Sequence, residues 1–193
     1  WGLNDEGQCN VPADLSSVQR VAAGSWHTAA LRTDGTVACW GAGTTIGNSA
    51  SHSQGQSIVP SALPATARLA CGGFHTIAVL ANGSLCCWGA GSTTSTNGIP
   101  NGGQCVAPVD LSRTVSVHAG YDSVMALNEQ GQIATWGRGP TEAQAIVPQF
   151  RGPFVQAAAG YSHGAALRAD GVVVCWGAGT TIVPQPHRRL ILP

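Results

Sequence analysis

The sequence predicts an all-β fold: a β-propeller of about four blades, each built from four strands. Trp-Gly pairs begin at residues 1, 40, 88, 136 and 176, which gives spacings of 39, 48, 48 and 40 residues. Before each of the last four pairs the same phrase recurs without gaps, for example as "GSWHTAALRTDGTVACWG" and "GYSHGAALRADGVVVCWG". Repeats of this length are typical of stacked supersecondary units, and four short strands per repeat are typical of propeller blades.

Each copy of the phrase predicts an antiparallel β-hairpin. Its two apolar segments flank a turn that ends in glycine, which reaches positive φ without strain. The four turns are Asp34-Gly35, Asn82-Gly83, Gln130-Gly131 and Asp170-Gly171. A strand is predicted before each hairpin, in "VQRVAAG", "ARLACGG", "VSVHAG" and "VQAAAG". A fourth strand is predicted in the segments "GQCNVP", "GQSIVP", "GQCVAP", "AQAIVP" and "TTIVP".

The whole chain, residues 1–193, is predicted to be a single propeller segment. The repeats divide this segment into five units. The predicted units are approximately 1–17, which is partial, followed by 18–65, 66–113, 114–153 and 154–193. One hairpin buries too little apolar surface to offset the conformational entropy lost on ordering it. We therefore expect the blades to be stable only when they stack on one another.

The recurring residues resemble a known family. Glycine, an aromatic residue, His-Thr, Asp-Gly and Trp-Gly followed by Gly-Gln are similar to the regulator of chromosome condensation repeat. "WGLNDEGQCNVP", residues 1–12, is similar to the bacterial branch of that superfamily, which includes a propeller-type β-lactamase inhibitor protein. Members usually close seven blades, so the resemblance implies that this chain is part of a larger ring. Further repeats of the same protein, a partner or a second copy would complete it.

Composition excludes two classes of partner. Charged residues make up 9% of the chain, the net charge is zero, and all nine basic residues are arginine. Without a basic stripe the attraction to phosphate that dominates nucleic-acid affinity is missing, so no nucleic-acid partner is expected. No run of 18 or more apolar residues occurs, so we expect no insertion into a membrane.

The sequence contains no pattern that indicates catalysis. It has no phosphate-binding glycine loop, no nucleophile elbow and no carboxylate pair at fixed spacing. His27, His75 and His163 occupy one column of the repeat, with Ser123 in the fourth copy, so they are interpreted as histidines hydrogen-bonded inside each blade. Since no zinc-ligand spacing occurs either, we expect no catalytic residue, no metal and no cofactor.

Five of the seven cysteines also fall in repeated columns. Equivalent positions on successive blades are usually too far apart for a disulfide, whose Cα separation is limited to about 7 Å. The five are therefore predicted to be buried free thiols, and a bond between the other two, Cys71 and Cys86, is left open. The five are Cys39, Cys87 and Cys175, each before a tryptophan, and Cys9 and Cys105, each after Gly-Gln.

The candidate binding residues are aromatic. One ring occurs in each short loop between the first strand and the hairpin, and such loops emerge on one face of a propeller. Partly exposed aromatics in an array are typical of protein interfaces, although rings can also simply cover the ends of the blades. The four rings are Trp26, Phe74, Tyr121 and Tyr161. His118 and Asp122 depart from the repeat in the third blade and are added to this candidate partner-binding set.

Two long inserts, 42–56 and 90–104, are rich in Ser, Thr, Asn and Gly, and either carry binding specificity or act as spacers.

The sequence therefore predicts a non-catalytic module that binds another protein through loop aromatics on one face. The family resemblance implies an alternative, a regulator of one specific enzyme. Such a regulator would promote guanine-nucleotide exchange on a small GTPase or inhibit an enzyme. A further alternative from the same resemblance is the propeller part of a larger protein of the ubiquitin-ligase type.

Overall fold

The computed structural model of the chain describes residues 1–44, 52–91, 102–109, 111–137 and 153–177. Within these ranges twelve strands form four separate antiparallel sheets of three strands each. The sheets stack in sequence as blades, so the predicted all-β fold, a partial propeller of about four blades, is confirmed. The described residues include no helix long and apolar enough to cross a lipid bilayer.

The strands of each blade follow one another along the chain, with the inner strand first. The first blade consists of β1 (Val18–Ala23), β2 (His27–Arg32) and β3 (Val37–Gly41). The second consists of β4 (Thr66–Cys71), β5 (His75–Leu80) and β6 (Leu85–Gly89). The third consists of β7 (Thr114–Ala119), β8 (Ser123–Asn128) and β9 (Ile133–Gly137). The fourth consists of β10 (Phe154–Ala159), β11 (His163–Arg168) and β12 (Val173–Gly177).

The four hairpin turns lie where the sequence predicts them. Gly35 has a φ of +84°, and its N–H donates to the carbonyl of Arg32 at 3.0 Å. Asp34 supports the same turn, because its Oδ1 accepts hydrogen bonds from the backbone N–H of Thr36 at 2.8 Å and from its hydroxyl at 2.7 Å. The turn glycines of the other three blades also have positive φ, between +76° and +85°.

The predicted fourth strand differs from the structure. Within the described residues, the segments that begin at Gln8, Gln56 and Gln104 are turns and irregular chain rather than strands of the sheets. The side chain of Gln56 explains this, because its Oε1 accepts from the N–H of Gln54 at 2.7 Å and closes a local turn. The segments 143–148 and 180–184, also predicted as fourth strands, lie outside the described residues.

Each of these glutamine segments is fixed to the next blade by a tryptophan. The indole N–H of Trp88 donates to the carbonyl of Gln56 at 2.9 Å, and Trp40 bonds Gln8 and Trp136 bonds Gln104 in the same way. The recurring tryptophan therefore attaches each of the first three blades to the segment that precedes it.

Apolar side chains fill the space between consecutive blades. In the second blade, Ala78, Leu80 and Trp88 pack towards the first blade. Ile77 and Val79 point the other way and pack against the third blade. Because strand side chains alternate between faces, β5 is covered on both sides, and all six of its residues are buried. This stacking is how the short hairpins acquire a core.

One disulfide contradicts the expectation of free thiols. Cys87 and Cys105 are bonded, with Cα atoms 5.1 Å apart. The two belong to different columns of the repeat, on β6 and on the glutamine segment that follows it, so the distance between blades does not limit them. Ser57 occupies the position of Cys105 in the first blade, and Cys39 there stays free.

The remaining five cysteines are all free, so Cys71 and Cys86 are not bonded to each other. Cys71 is buried, whereas Cys175 is exposed, so not every free thiol is buried as predicted.

Candidate functional site

The loops that precede the hairpins lie side by side on one face of the arc and are joined by their backbones. The N–H of Ser25 donates to the carbonyl of Gly72 at 3.2 Å, and the N–H of Gly73 donates to the carbonyl of Tyr121 at 2.9 Å. Glycine is required for this approach, because a Cβ on Gly24 would lie 2.5 Å from the Gly72 carbonyl oxygen. A Cβ on Gly120 would lie 2.8 Å from the carbonyl oxygen of Gly160. The loops therefore form one continuous surface.

Three of the four predicted aromatic residues form a connected cluster on this face. The rings of Phe74 and Tyr121 meet edge to face with centroids 5.4 Å apart, and those of Tyr121 and Tyr161 are tilted with centroids 4.7 Å apart. Exposure rises along the cluster: Phe74 is buried, Tyr121 is partly buried and Tyr161 is 68% exposed. Phe74 therefore supports the other two rings, and Tyr161 presents its ring to solvent.

Trp26, the fourth aromatic residue, stacks on a side chain of the first insert. Its ring lies parallel to that of His52, with centroids 3.6 Å apart and an interplanar angle of 11°. His52 Nδ1 is in turn 2.7 Å from the carboxylate of Glu6. Sequence reasoning did not identify His52 or Glu6, since they are 46 residues apart. The length of the insert was the only signal that pointed to this region.

The indole N–H of Trp26 is buried and has no hydrogen-bond partner among the described residues. The indole is near enough to the Tyr121 phenol to act on its pKa, but the pair falls short of hydrogen-bond geometry.

Burial raises the pKa of the Tyr121 phenol above its usual value. The neighbouring Tyr161 and Asp122 add to this increase, and the Trp26 indole opposes it. The phenol is therefore protonated at neutral pH and can donate a hydrogen bond. An amphipathic ring of this kind suits a contact that is apolar on one side and polar on the other.

A cleft of about 250 Å³ opens between the loops. Backbone of the loop glycines and the rings of Tyr121 and Tyr161 line it. Its walls are therefore largely main chain and aromatic, which suits a short side chain of a partner rather than a charged group.

The two residues that depart from the repeat lie in different places. Asp122 is buried, with 3% of its surface exposed, directly after Tyr121 in the loop. His118 is on the inner strand β7 and lines a cavity on the concave side of the arc, which adjoins the cleft and shares Ala23, Cys71, Ala119 and Ala159 with it. Burial lowers the pKa of the His118 imidazole. The structure thus brings Trp26, Phe74, Tyr121, Tyr161 and Asp122 to one face and does not bring His118 to it.

The recurring histidines do not share one hydrogen-bonded position inside each blade as predicted. His27 contacts the next blade, His75 is buried with no partner for either ring nitrogen among the described residues, and His163 is exposed. His27 is buried, and its ring contacts the second blade through Thr76. Desolvation by burial lowers the pKa of His27 to about 4, so the ring is neutral. Among the described residues, no group of three or more His, Cys, Asp or Glu side chains is arranged to hold a metal ion.

Comparisons with known proteins agree with this architecture. Residues 18–44 and 154–180 match the family model of the regulator of chromosome condensation (RCC1) repeat. Among curated protein sequences none matches. Solved structures do match, and one is Prp20p from Saccharomyces cerevisiae, at 18% identity and a TM-score of 0.64. The match covers 83% of this chain and 45% of Prp20p.

Two further solved structures have the same fold. Human WBSCR16 is 22% identical with a TM-score of 0.65, over 85% of this chain and 48% of that one. The ectodomain of the Physcomitrella patens receptor kinase CR4 is 22% identical with a TM-score of 0.63, over 86% of this chain and 41% of that one. This chain thus spans less than half the length of these proteins. Two segments of the chain therefore match the regulator of chromosome condensation repeat, and its stacked three-stranded blades have the fold of the solved propellers Prp20p and WBSCR16.

Proposed function

We propose that this chain is a non-catalytic module that binds another protein through its loop face. The contacts to the partner would come from Trp26, Tyr121 and Tyr161, with Phe74 and Asp122 buried beneath them. The observation that carries the proposal is the connected cluster from buried Phe74 to exposed Tyr161. A ring anchored at one end by buried packing and open to solvent at the other is a typical interface anchor.

Energetics favour such a site. Tyr161 is already held against Tyr121, so it loses little rotational freedom when a partner covers it. Binding would therefore bury the apolar ring surface of Tyr161 with little further loss of side-chain entropy.

The family supports a protein partner. Propellers with these repeats are protein-interaction or regulatory modules. Prp20p has binding properties towards Gsp1p and histones, and a solved structure has Kap60 bound to yeast RCC1, which is Prp20. Those partners are partners of the yeast protein. For this chain they support only the proposal that its ligand is a protein.

Site-specific crosslinking tests the proposal. A photo-reactive phenylalanine analogue would replace Tyr161 in one variant and Val11, an exposed residue with 65% of its surface accessible, in another. Irradiation in an extract from the source organism is expected to crosslink a protein from position 161 and not from position 11. Mass spectrometry identifies that protein, which is then purified.

Affinity measurements with the purified partner follow. Tyr161→Ala is expected to weaken binding by about tenfold or more, as truncation of an anchor costs about 2 kcal/mol. Val155→Ala is the control, because Val155 is 57% exposed on β10 and is not part of the cluster. Equal affinities for Tyr161→Ala and wild type, with both chains folded by circular dichroism, would rule out the loop face as the binding site.

A further inference from the structure

The inner strands of the blades carry a second feature that the loop face does not use. All four inner strands have a bulge at the same place, where the pairing register shifts between the first and third residues. The residue after each bulge pairs with an equivalent apolar residue of the middle strand. All four of these residues have polar side chains that can form hydrogen bonds, and together they make a row along the inner strands. They are Arg20, Arg68, Ser116 and Gln156.

Three members of this row face a large cavity. It measures about 640 Å³ on the concave side of the arc, and the first three inner strands supply most of its lining. Arg20, Arg68 and Ser116 line it, together with His118 two residues further along β7. Because strand residues two apart point to the same side, His118 extends the row towards the loop face.

The charged side chains that line this cavity are all positive. Among the described residues no Asp or Glu lines it, whereas the two arginines do. Over the whole chain nine acidic residues balance nine arginines, so two arginines without a carboxylate inside this cavity are a local departure from neutrality. On its other side Arg68 borders a second cavity, whose lining includes Arg113 and Glu129. Both guanidinium groups are exposed to solvent. The concave wall therefore has a positive potential that a walled cavity concentrates.

The same arginines also supply hydrogen-bond donors for an anionic ligand. Each guanidinium has five N–H donors in a planar fork that matches a carboxylate or phosphate. Arg68 uses one of them, from Nη1, to the carbonyl of Ala67 at 2.9 Å. The hydroxyl of Ser116 and the ring of His118 add neutral groups beside the charged pair.

We propose that this concave wall binds an acidic peptide segment, with one carboxylate on Arg20 and a second on Arg68. Two cations on the inner strands of adjacent blades match two anionic groups on one ligand. The cavity is also far larger than one inorganic anion needs and is in the size range of organic ligands. Arg20 and Arg68 do not line the loop-face cleft, so their binding of a peptide is tested independently of the function proposed above.

Fluorescence anisotropy tests the site with a defined probe, a fluorescein-labelled hexaglutamate peptide at about 50 mM salt, where exposed charges are weakly screened. The wild-type chain is expected to bind it, and Arg20→Gln combined with Arg68→Gln is expected to weaken binding by about tenfold or more. The matched control is Arg32→Gln combined with Arg168→Gln. These arginines lie at hairpin ends outside the cavity, and the control changes the net charge equally.

Three results would overturn the proposal: no binding by wild type, an unchanged affinity in the Arg20 and Arg68 variant, or an equal loss in the control. Tripolyphosphate provides a further arm. If it binds and the peptide does not, the cavity takes phosphate anions and the acidic peptide is the wrong ligand.

Discussion

The Nε2 atom of His27 in the first blade lies 2.8 Å from the hydroxyl oxygen of Thr76 in the second. Thr76 donates its one hydroxyl proton to the carbonyl of Gln56 at 2.9 Å. The imidazole must therefore be the donor, which places its proton on Nε2. Between the second and third blades the same series of hydrogen bonds cannot form, because Val124 occupies the position of Thr76. Both ring nitrogens of His75 are buried without a partner among the described residues.

Restoring the missing hydroxyl should stabilise the protein. In Val124→Thr the new hydroxyl can accept from His75 and donate to the carbonyl of Gln104, as Thr76 does with His27 and Gln56. Each hydrogen bond contributes about 1 kcal/mol net, so the free energy of unfolding should rise by about 1 kcal/mol after the loss of one methyl group. Urea titration measures the change.

The matched control is Val174→Thr. Val174 is equally buried, with 3% exposed, but it belongs to an apolar cluster between the third and fourth blades. The same chemical change should lower the free energy of unfolding there by about 1–2 kcal/mol. If both variants lose stability to the same degree, the inferred equivalence of Val124 and Thr76 is incorrect.

The buried histidines should make the protein sensitive to acid. Burial lowers the pKa of His75 to about 3, with the nearby His27 adding to the effect, and burial lowers that of His27 to about 4. In the unfolded chain both rings take up protons below pH 6.5. Their contribution to the free energy of unfolding is therefore complete above pH 6.5 and is lost as the pH falls towards about 4 for His27 and about 3 for His75.

The free energy of unfolding, measured by urea titration, should thus be lower at about pH 4.5 than at about pH 7.5 by a few kcal/mol. For each histidine, every pH unit below the pKa of the unfolded chain costs about 1.4 kcal/mol. His75→Asn removes one of the two groups, so its stability should fall less between the same two pH values. A variant with the same decline as wild type would contradict the assignment to His75.

The disulfide should contribute measurably to stability. It joins residues 18 apart in sequence, and closing a loop of that size stabilises by about 3 kcal/mol in the chain-entropy account. Cys87→Ser combined with Cys105→Ser should lower the free energy of unfolding by about 2–4 kcal/mol. Cys175→Ser, at an exposed free thiol, should leave it unchanged. Thiol titration of the denatured, unreduced chain should count five free cysteines, and a count of seven would show that the bond is absent.

The contact between loop backbones should not tolerate a side chain. Gly24→Ala would place a Cβ 2.5 Å from the Gly72 carbonyl oxygen and 2.6 Å from Cε1 of His27. We expect a loss of about 2–4 kcal/mol in the free energy of unfolding, since neither backbone nor buried ring can move freely. Ser25→Ala at the adjacent exposed position should change it by less than about 0.5 kcal/mol. Equal thermal unfolding curves for the two variants would refute the close approach.

The sequence predicts the blades well because repetition reduces the ambiguity of any single segment. Gly35 and its three equivalents identify the turns, and the alternation in strands such as β5 identifies the buried faces. The fourth strand was not predictable in the same way, since the local bonds of the Gln56 side chain outweigh the extended pattern of the segment. Local hydrogen bonding of this kind leaves little trace in hydrophobic periodicity.

Features that join different columns of the repeat were also missed. Comparison of copies shows which residues are equivalent, but it does not show that Cys87 and Cys105 meet, because they are not equivalent. The stack of Trp26 on His52 depends on an insert that only one blade has in this form. The aromatic residues of the loop face could be identified from sequence, whereas their burial, which separates Phe74 from Tyr161, depends on neighbouring blades.

The bonds from Trp40, Trp88 and Trp136 to glutamine carbonyls show that each folded unit, which runs from glutamine to tryptophan, is offset from the sequence repeat. Gln8 to Trp40, Gln56 to Trp88 and Gln104 to Trp136 each span 32 residues, so the length inside these units is constant. The chain between one unit and the next is where the inserts fall. New sequence placed after a tryptophan and before the next glutamine would therefore leave every unit whole. These junctions are the natural positions for grafting peptides.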